Sequence, residues 1–244
     1  MQIGPIWPLY LCVLLCCQSA PGRLEAKETL GYVEFTTAGA STNAQLPMII
    51  AVHGLGDSPE NFSRFLRAFP APARVIAVRA PTPYHRGFSW FDIRASSRSD
   101  RRRLRAGVKK ATDQLAVTIR ALSGEKPTIG RPIILGFSQG GILSFSLAAR
   151  FPELISAAVP LAGLLVETKA LPTKEPSKVF AFHGEKDTRI PVTGSEEAIR
   201  ALEVAGHIAK LKRYPGLGHR LSPRLIQDVF DVLATELPRP ASPD

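Results

Sequence analysis

Gly136-Phe137-Ser138-Gln139-Gly140-Gly141 constrains this chain more than any other segment. It lies between an apolar run, Pro132-Ile133-Ile134-Leu135, and a stretch of helical composition from Gly141 to Arg150. Strand, sharp turn and helix form the setting in which a G-x-S-x-G segment presents its serine at the end of a strand. The turn holds the serine backbone in a strained conformation, and small residues two positions to either side let strand and helix approach closely. Ser138 is therefore the candidate nucleophile.

A serine hydroxyl is a weak nucleophile at neutral pH, so it needs a base within hydrogen-bond reach and a carboxylate to orient that base. Two later apolar runs end in polar loops: Lys178-Val179-Phe180-Ala181-Phe182-His183 leads to Asp187, and Ile208 to Tyr214 leads to His219. His219 closes a glycine-rich loop, Tyr214-Pro215-Gly216-Leu217-Gly218-His219, with Pro223 opening the helix beyond. Asp187 and His219 are the candidate acid and base. Asp228 and Asp231 read as surface charges of the closing helix. Of the other histidines, His85 and His207 are expected at the surface, whereas His53 and His183 begin His-Gly turns at strand ends and suit backbone shaping and support of the site. His53-Gly54-Leu55-Gly56-Asp57 follows a buried strand. The backbone N–H of Leu55 and that of Gln139, beside the nucleophile, are placed to hold the negative oxygen of a tetrahedral intermediate.

Apolar runs predict strands near 31–37, 46–53, 74–78, 132–135, 155–161, 178–183 and 208–214. Helices are predicted over 58–69, 100–122, 195–204 and 223–237, besides the one after Ser138. In the longest, Leu104, Val108, Ala111, Leu115, Ile119 and Leu122 recur at the spacing of an amphipathic face. Such alternation implies right-handed crossovers and an α/β fold, a mostly parallel central sheet flanked by helices on both faces. The length of 244 residues suits one catalytic domain, read as 31–238.

The first twenty residues carry no Asp, Glu, Lys or Arg, and the apolar stretch from Ile6 to Cys17 is short for a bilayer-crossing helix. This reads as a signal peptide over 1–20, cut after Ser19 or Ala20, with a linker at 21–30, a disordered tail at 239–244, and export to the periplasm or exterior. Cys12, Cys16 and Cys17 all fall in the leader, so the exported protein would carry no thiol. A lipid-modified Cys17 is the competing reading, disfavoured because Cys16 stands where a lipobox wants a small residue. The formal charge of +10 is concentrated between Arg94 and Lys110, a solvated helix face or a contact for an anionic surface. No aromatic residues interleave with these cations, which argues against a nucleic-acid partner. The oligomeric state is left open.

Taken together, the motifs resemble the phospholipase/carboxylesterase family of α/β-hydrolases, the group containing the acyl-protein thioesterases. His53 to Asp57 looks like that family's oxyanion loop, Ser89-Trp90-Phe91-Asp92 like its substrate-loop tryptophan motif, and Gly136 to Gly141 like its nucleophile turn. His183-Gly184-Glu185-Lys186-Asp187-Thr188-Arg189-Ile190-Pro191 is similar to its acid loop, and Tyr214 to His219 to its base loop. The resemblance implies an α/β-hydrolase fold with a minimal cap and a metal-independent serine carboxylesterase that needs no cofactor. It acts on carboxylic esters or thioesters through an acyl-enzyme. Trp90 and Phe91 would line the substrate pocket, and the apolar loop residues Phe88, Leu164, Leu165 and Val166 suggest a hydrophobic acyl site. Protein-deacylating members are typically cytosolic, so the leader turns the expectation toward a small-molecule or lipid ester outside the cytoplasm. Polymeric esters, and a non-catalytic binding protein on the same fold, are the alternatives.

Overall fold

A computed structural model of the chain describes residues 1, 29–94, 96–167 and 173–239. The expected leader, most of the linker and the end of the tail therefore lie outside the described residues. Strands β1 (Tyr32–Thr36) and β2 (Met48–Val52) precede a one-turn helix α1 (Pro59–Phe62), and β3 (Arg74–Val78) follows. Next come β4 (Thr82–Tyr84), β5 (Gly87–Ser89), the long helix α2 (Arg98–Glu125), β6 (Ile133–Phe137) and α3 (Gln139–Arg150). The chain continues through β7 (Ala157–Leu161), β8 (Lys178–Gly184), α4 (Val192–Val204), β9 (Ile208–Tyr214) and α5 (Pro223–Glu236).

Seven strands form one sheet in the order β1-β3-β2-β6-β7-β8-β9. All neighbours are parallel except β1 with β3. The central strands are continuous apolar runs because both their faces are covered. Met48, Ile50 and Val52 of β2 pack into the layer of α2, α3 and α4, while Ile49 and Ala51 pack into the layer of α1 and α5. Each fully buried aliphatic side chain contributes roughly 1.5–3 kcal/mol.

The predicted boundaries shift for identifiable reasons. Helix α2 is capped by Ser97, whose side chain accepts from the Asp100 N–H while Asp100 accepts from the Ser97 N–H. It runs past the last apolar repeat, Leu122, until Lys126 turns extended in front of Pro127. The single helix expected over 58–69 is instead one α-turn followed by a 3₁₀ segment, Ser63–Ala68. There the Ser63 hydroxyl donates to the Pro59 carbonyl at 2.7 Å and competes with the helical ladder. The β4–β5 hairpin is a further addition, too short to leave a periodic signal. Among the described residues no helix is long and apolar enough to cross a membrane.

The parallel strands β2, β6, β8 and β9 all end at one edge of the sheet. The loops carrying Leu55, Ser138, Asp187 and His219 leave from that edge, where open α/β sheets place their binding crevices.

Candidate active site

Ser138 follows the last residue of β6 and precedes the first of α3, with φ 57° and ψ −113°. A left-handed backbone at a residue with a Cβ costs of order 1–3 kcal/mol and persists only where the surroundings impose it. Here they do: the Ser138 N–H donates to Leu161 O at 2.9 Å and its carbonyl accepts from the Ile142 N–H at 2.9 Å. Gly136 and Gly140 permit the approach, since a Cβ on Gly136 would overlap the Gly140 carbonyl and one on Gly140 the Val52 carbonyl.

The structure brings the three expected side chains together. His219 Nε2 lies 2.9 Å from Ser138 Oγ, and His219 Nδ1 lies 2.6 Å from Asp187 Oδ2. The imidazole packs beside Phe137, ring centroids 4.8 Å apart. Asp187 has no side-chain exposure, and its second oxygen, Oδ1, accepts from the backbone N–H groups of Arg189 and Ile190, each at 2.9 Å. Burial pushes this carboxyl up, but the Ile190 and Arg189 N–H groups and His219 outweigh burial and hold it below its ordinary value. It therefore stays ionised beside the imidazole.

His183, at the end of β8, adds a contact with Asp187 that its sequence position did not reveal. Its Nε2 faces two acceptors, Ile190 O at 2.8 Å and Asp187 Oδ2 at 3.2 Å. Its Nδ1 lies 2.7 Å from Ser195 Oγ, whose hydroxyl donates to Gly163 O at 2.8 Å. The tautomer of His53 is fixed by its two neighbours. Its Nε2 accepts from the Ala80 N–H at 3.2 Å, leaving Nδ1 to donate to Gly54 O at 2.7 Å.

The His53–Asp57 loop is clamped by the hairpin. The Gly56 N–H donates to Phe88 O at 2.8 Å and the Phe88 N–H to Asp57 O at 3.0 Å. Among the described residues neither the Leu55 nor the Gln139 N–H has an acceptor, and both residues line the cavity that holds Ser138. The Gln139 side chain is tied to the loop after β5. Its Oε1 accepts from the Trp90 N–H at 3.0 Å, and its Nε2 donates to Phe91 O at 2.7 Å.

The cavity measures about 550 Å³, and its apolar wall is Phe91, Ile93, Leu104, Ile142 and Leu164. Trp90, expected to line it, does not. The ring is buried and its Nε1 donates to His53 O at 2.9 Å, so Trp90 braces the His53–Asp57 loop. Phe88, Leu165 and Val166 also lie outside the lining, whereas Leu104 enters it from α2, a residue that its heptad-like spacing marked only as core. The cationic run at Arg94–Lys110 occupies the loop before α2 and its first turns, with Arg94 paired to Asp92, Arg103 to Asp100 and Lys109 to Asp113.

His207 is buried rather than at the surface. After Gly206, at φ 95°, the chain turns inward and His207 Nδ1 accepts from the Ser177 N–H at 3.2 Å. His53, His183 and His207 are thus all buried, and burial lowers the pKa of each. In the unfolded chain they titrate near ~6.5. Below that pH the unfolded state takes up protons that the folded state resists, so stability falls as pH falls toward the lowered folded-state values. Three such groups set an upper limit of ~4 kcal/mol per pH unit on the slope. Urea midpoints measured from about pH 7.5 to 5 are expected to drop steeply. A midpoint that stays level over that range would show that these rings accept protons in place.

A model of the family described as phospholipase/carboxylesterase matches residues 36–237. Acyl-protein thioesterase 1 of Mycosarcoma maydis is 28% identical over 218 residues, covering 77% of this chain and 90% of that protein. Carboxylesterase SOBER1 of Arabidopsis thaliana is 26% identical over 197 residues, covering 71% and 83%. Among solved structures, esterase PE8 has a TM-score of 0.74 at 23% identity, covering 86% of this chain and all of that one. The Bacillus cereus carboxylesterase has a TM-score of 0.70 at 17% identity, covering 84% and 95%. Both share the α/β-hydrolase architecture seen here. The protein is an enzyme, a serine hydrolase, and it belongs to the phospholipase/carboxylesterase family.

Proposed function

We propose that the chain hydrolyses carboxylic esters or thioesters of small molecules or lipids through an acyl-enzyme. The observation that carries the reading is the imidazole of His219, held between Ser138 Oγ at 2.9 Å and Asp187 Oδ2 at 2.6 Å. Ser138 Oγ attacks the carbonyl carbon while His219 Nε2 takes its proton. Asp187 holds the ring in that tautomer and stabilises the imidazolium that forms. The oxyanion sits between the N–H groups of Leu55 and Gln139, each such donor supplying about 3 kcal/mol to the barrier lowering. His219 returns its proton to the departing oxygen or sulfur, and a water activated by the same base releases the acid. The thioesterase and carboxylesterase names of the relatives support both ester and thioester chemistry.

The acyl chain is assigned to the cavity walled by Phe91, Ile93, Leu104, Ile142 and Leu164. Each methylene it buries is worth about 0.8 kcal/mol, or roughly fourfold in kcat/KM until the wall is covered. A series of p-nitrophenyl esters from acetate to palmitate is therefore expected to climb steeply beyond acetate before reaching an optimum. A decline from acetate onward would remove the acyl chain from this cavity. Labelling of Ser138 by an organophosphonate probe separates this reading from a non-catalytic binding protein, which would leave the probe unreacted.

A further inference from the structure

His219 faces two hollows. One is the apolar cavity already described. The other is an adjoining open groove of about 500 Å³, which shares Asp57, Phe137 and His219 with the first and adds Arg64, Phe65, Arg220 and Ile226. Arg64 comes from the 3₁₀ segment after α1, Arg220 follows His219 directly, and Ile226 lies on α5. Two segments distant in sequence, 64–65 and 220–226, thus bring two guanidinium groups and two apolar side chains to the groove beside the base.

Neither guanidinium is neutralised. Arg64 and Arg220 are both exposed, and among the described residues no carboxylate lies within 4.0 Å of either. Asp57 is the one carboxylate in the lining. It stands at the catalytic end, and its Oδ1 already accepts from the Ser58 N–H at 2.8 Å and the Asn61 amide at 2.7 Å.

Reaction geometry assigns the groove a task, on the catalytic reading given above. A tetrahedral carbon bonded to Ser138 Oγ has three remaining substituents. The oxyanion points to Leu55 and Gln139, and the acyl chain enters the apolar cavity. The leaving atom must reach His219 Nε2, since the bond from the acyl carbon breaks with its electron pair staying on that atom, which takes the proton His219 removed from Ser138. The rest of the leaving group then has the adjoining groove, which His219 also lines, open to it.

We propose that this groove is the leaving-group subsite, and that Arg64 and Arg220 select alcohols or thiols carrying an anionic oxyacid group, a carboxylate or phosphate, beside an apolar portion that rests on Phe65 and Ile226. Guanidinium forks match such groups bidentately. The preference comes from the alcohol side of the substrate, independent of the acyl chain.

The test compares 4-carboxyphenyl butyrate with its neutral counterpart, 4-carbamoylphenyl butyrate, each rate divided by that of hydroxide hydrolysis of the same ester. Wild type is expected to favour the anionic ester by about tenfold, and the double variant Arg64→Gln/Arg220→Gln to lose that ratio. Raising the salt concentration is expected to compress the wild-type ratio, because exposed charges are screened. Equal normalised rates in wild type, or a ratio untouched by the double variant, overturn the subsite alone. A preference that instead follows an anionic acyl part, 4-nitrophenyl hemisuccinate over 4-nitrophenyl butyrate, overturns the assignment of the groove to the leaving side. Hydrolysis of both esters that persists in Ser138→Ala overturns the catalytic reading itself, and the subsite with it.

Discussion

Ser138→Ala is expected to lower kcat on a p-nitrophenyl ester by about a million-fold while leaving a folded protein. The size follows from how the residues act together: once Oγ is gone, the proton transfer organised by His219 and Asp187 has nothing to act on. What remains is the roughly 10³- to 10⁴-fold advantage over water that an oxyanion hole and substrate binding retain alone. The fold has little reason to respond. Alanine keeps the Cβ at φ 57°, so the strain at the turn is unchanged, and water can replace the hydroxyl beside His219, whose side chain is 11% exposed. Ser138→Gly sharpens the point, because relieving the strained backbone is expected to raise stability by about 1 kcal/mol while activity is lost equally. Thermal melts beside ester assays check both. An alanine variant retaining more than about one per cent of wild-type kcat would remove Ser138 from the reaction.

The second large effect is structural. Gly140→Ala places a methyl group on the carbonyl oxygen of Val52, and close behind it lies the carbonyl of His53. These are backbone atoms of β2 and its following loop, which no rotamer change can move aside. Either α3 separates from the sheet or β2 shifts against β3 and β6, strands whose residues are almost all buried. A destabilisation above about 4 kcal/mol is expected, a large part of the 5–15 kcal/mol that holds a domain of this kind together. Urea titration followed by far-UV circular dichroism reads it directly. A variant whose midpoint matches wild type would show that helix and strand have slack the close approach denies.

Much of this arrangement could be read before any coordinates. Alternation of apolar runs with a helical period placed every strand of the main sheet, because a parallel sheet covered on both faces leaves unbroken hydrophobic segments such as Met48–Val52. Ser138, Asp187 and His219 were legible because each follows a strand, in a turn or loop of distinctive composition. Strand direction was not legible: nothing in Tyr32–Thr36 records that β1 runs against β3. The hairpin at 82–89 escaped notice because three-residue strands carry no period. Trp90 and Phe91 are adjacent and equally apolar, yet one braces a loop and the other lines the cavity. Tertiary packing alone distinguishes them. The same holds for His183 and His207, whose inward orientation depends on Ser195, Ile190 and Ser177, residues far away in the chain or across a turn.

The two hydrogen bonds from the Gln139 amide to the backbone of Trp90 and Phe91 bear on how this enzyme can be re-engineered. They splice the segment beside the nucleophile to the segment that carries part of the specificity wall, so a loop transplant spanning 88–91 would drag the oxyanion geometry with it. Ile93 and Leu104 are free of that splice, since both reach the cavity from beyond it. Libraries aimed at new acyl groups should diversify those two positions and keep the tethered tetrad from Phe88 to Phe91 as inherited chassis.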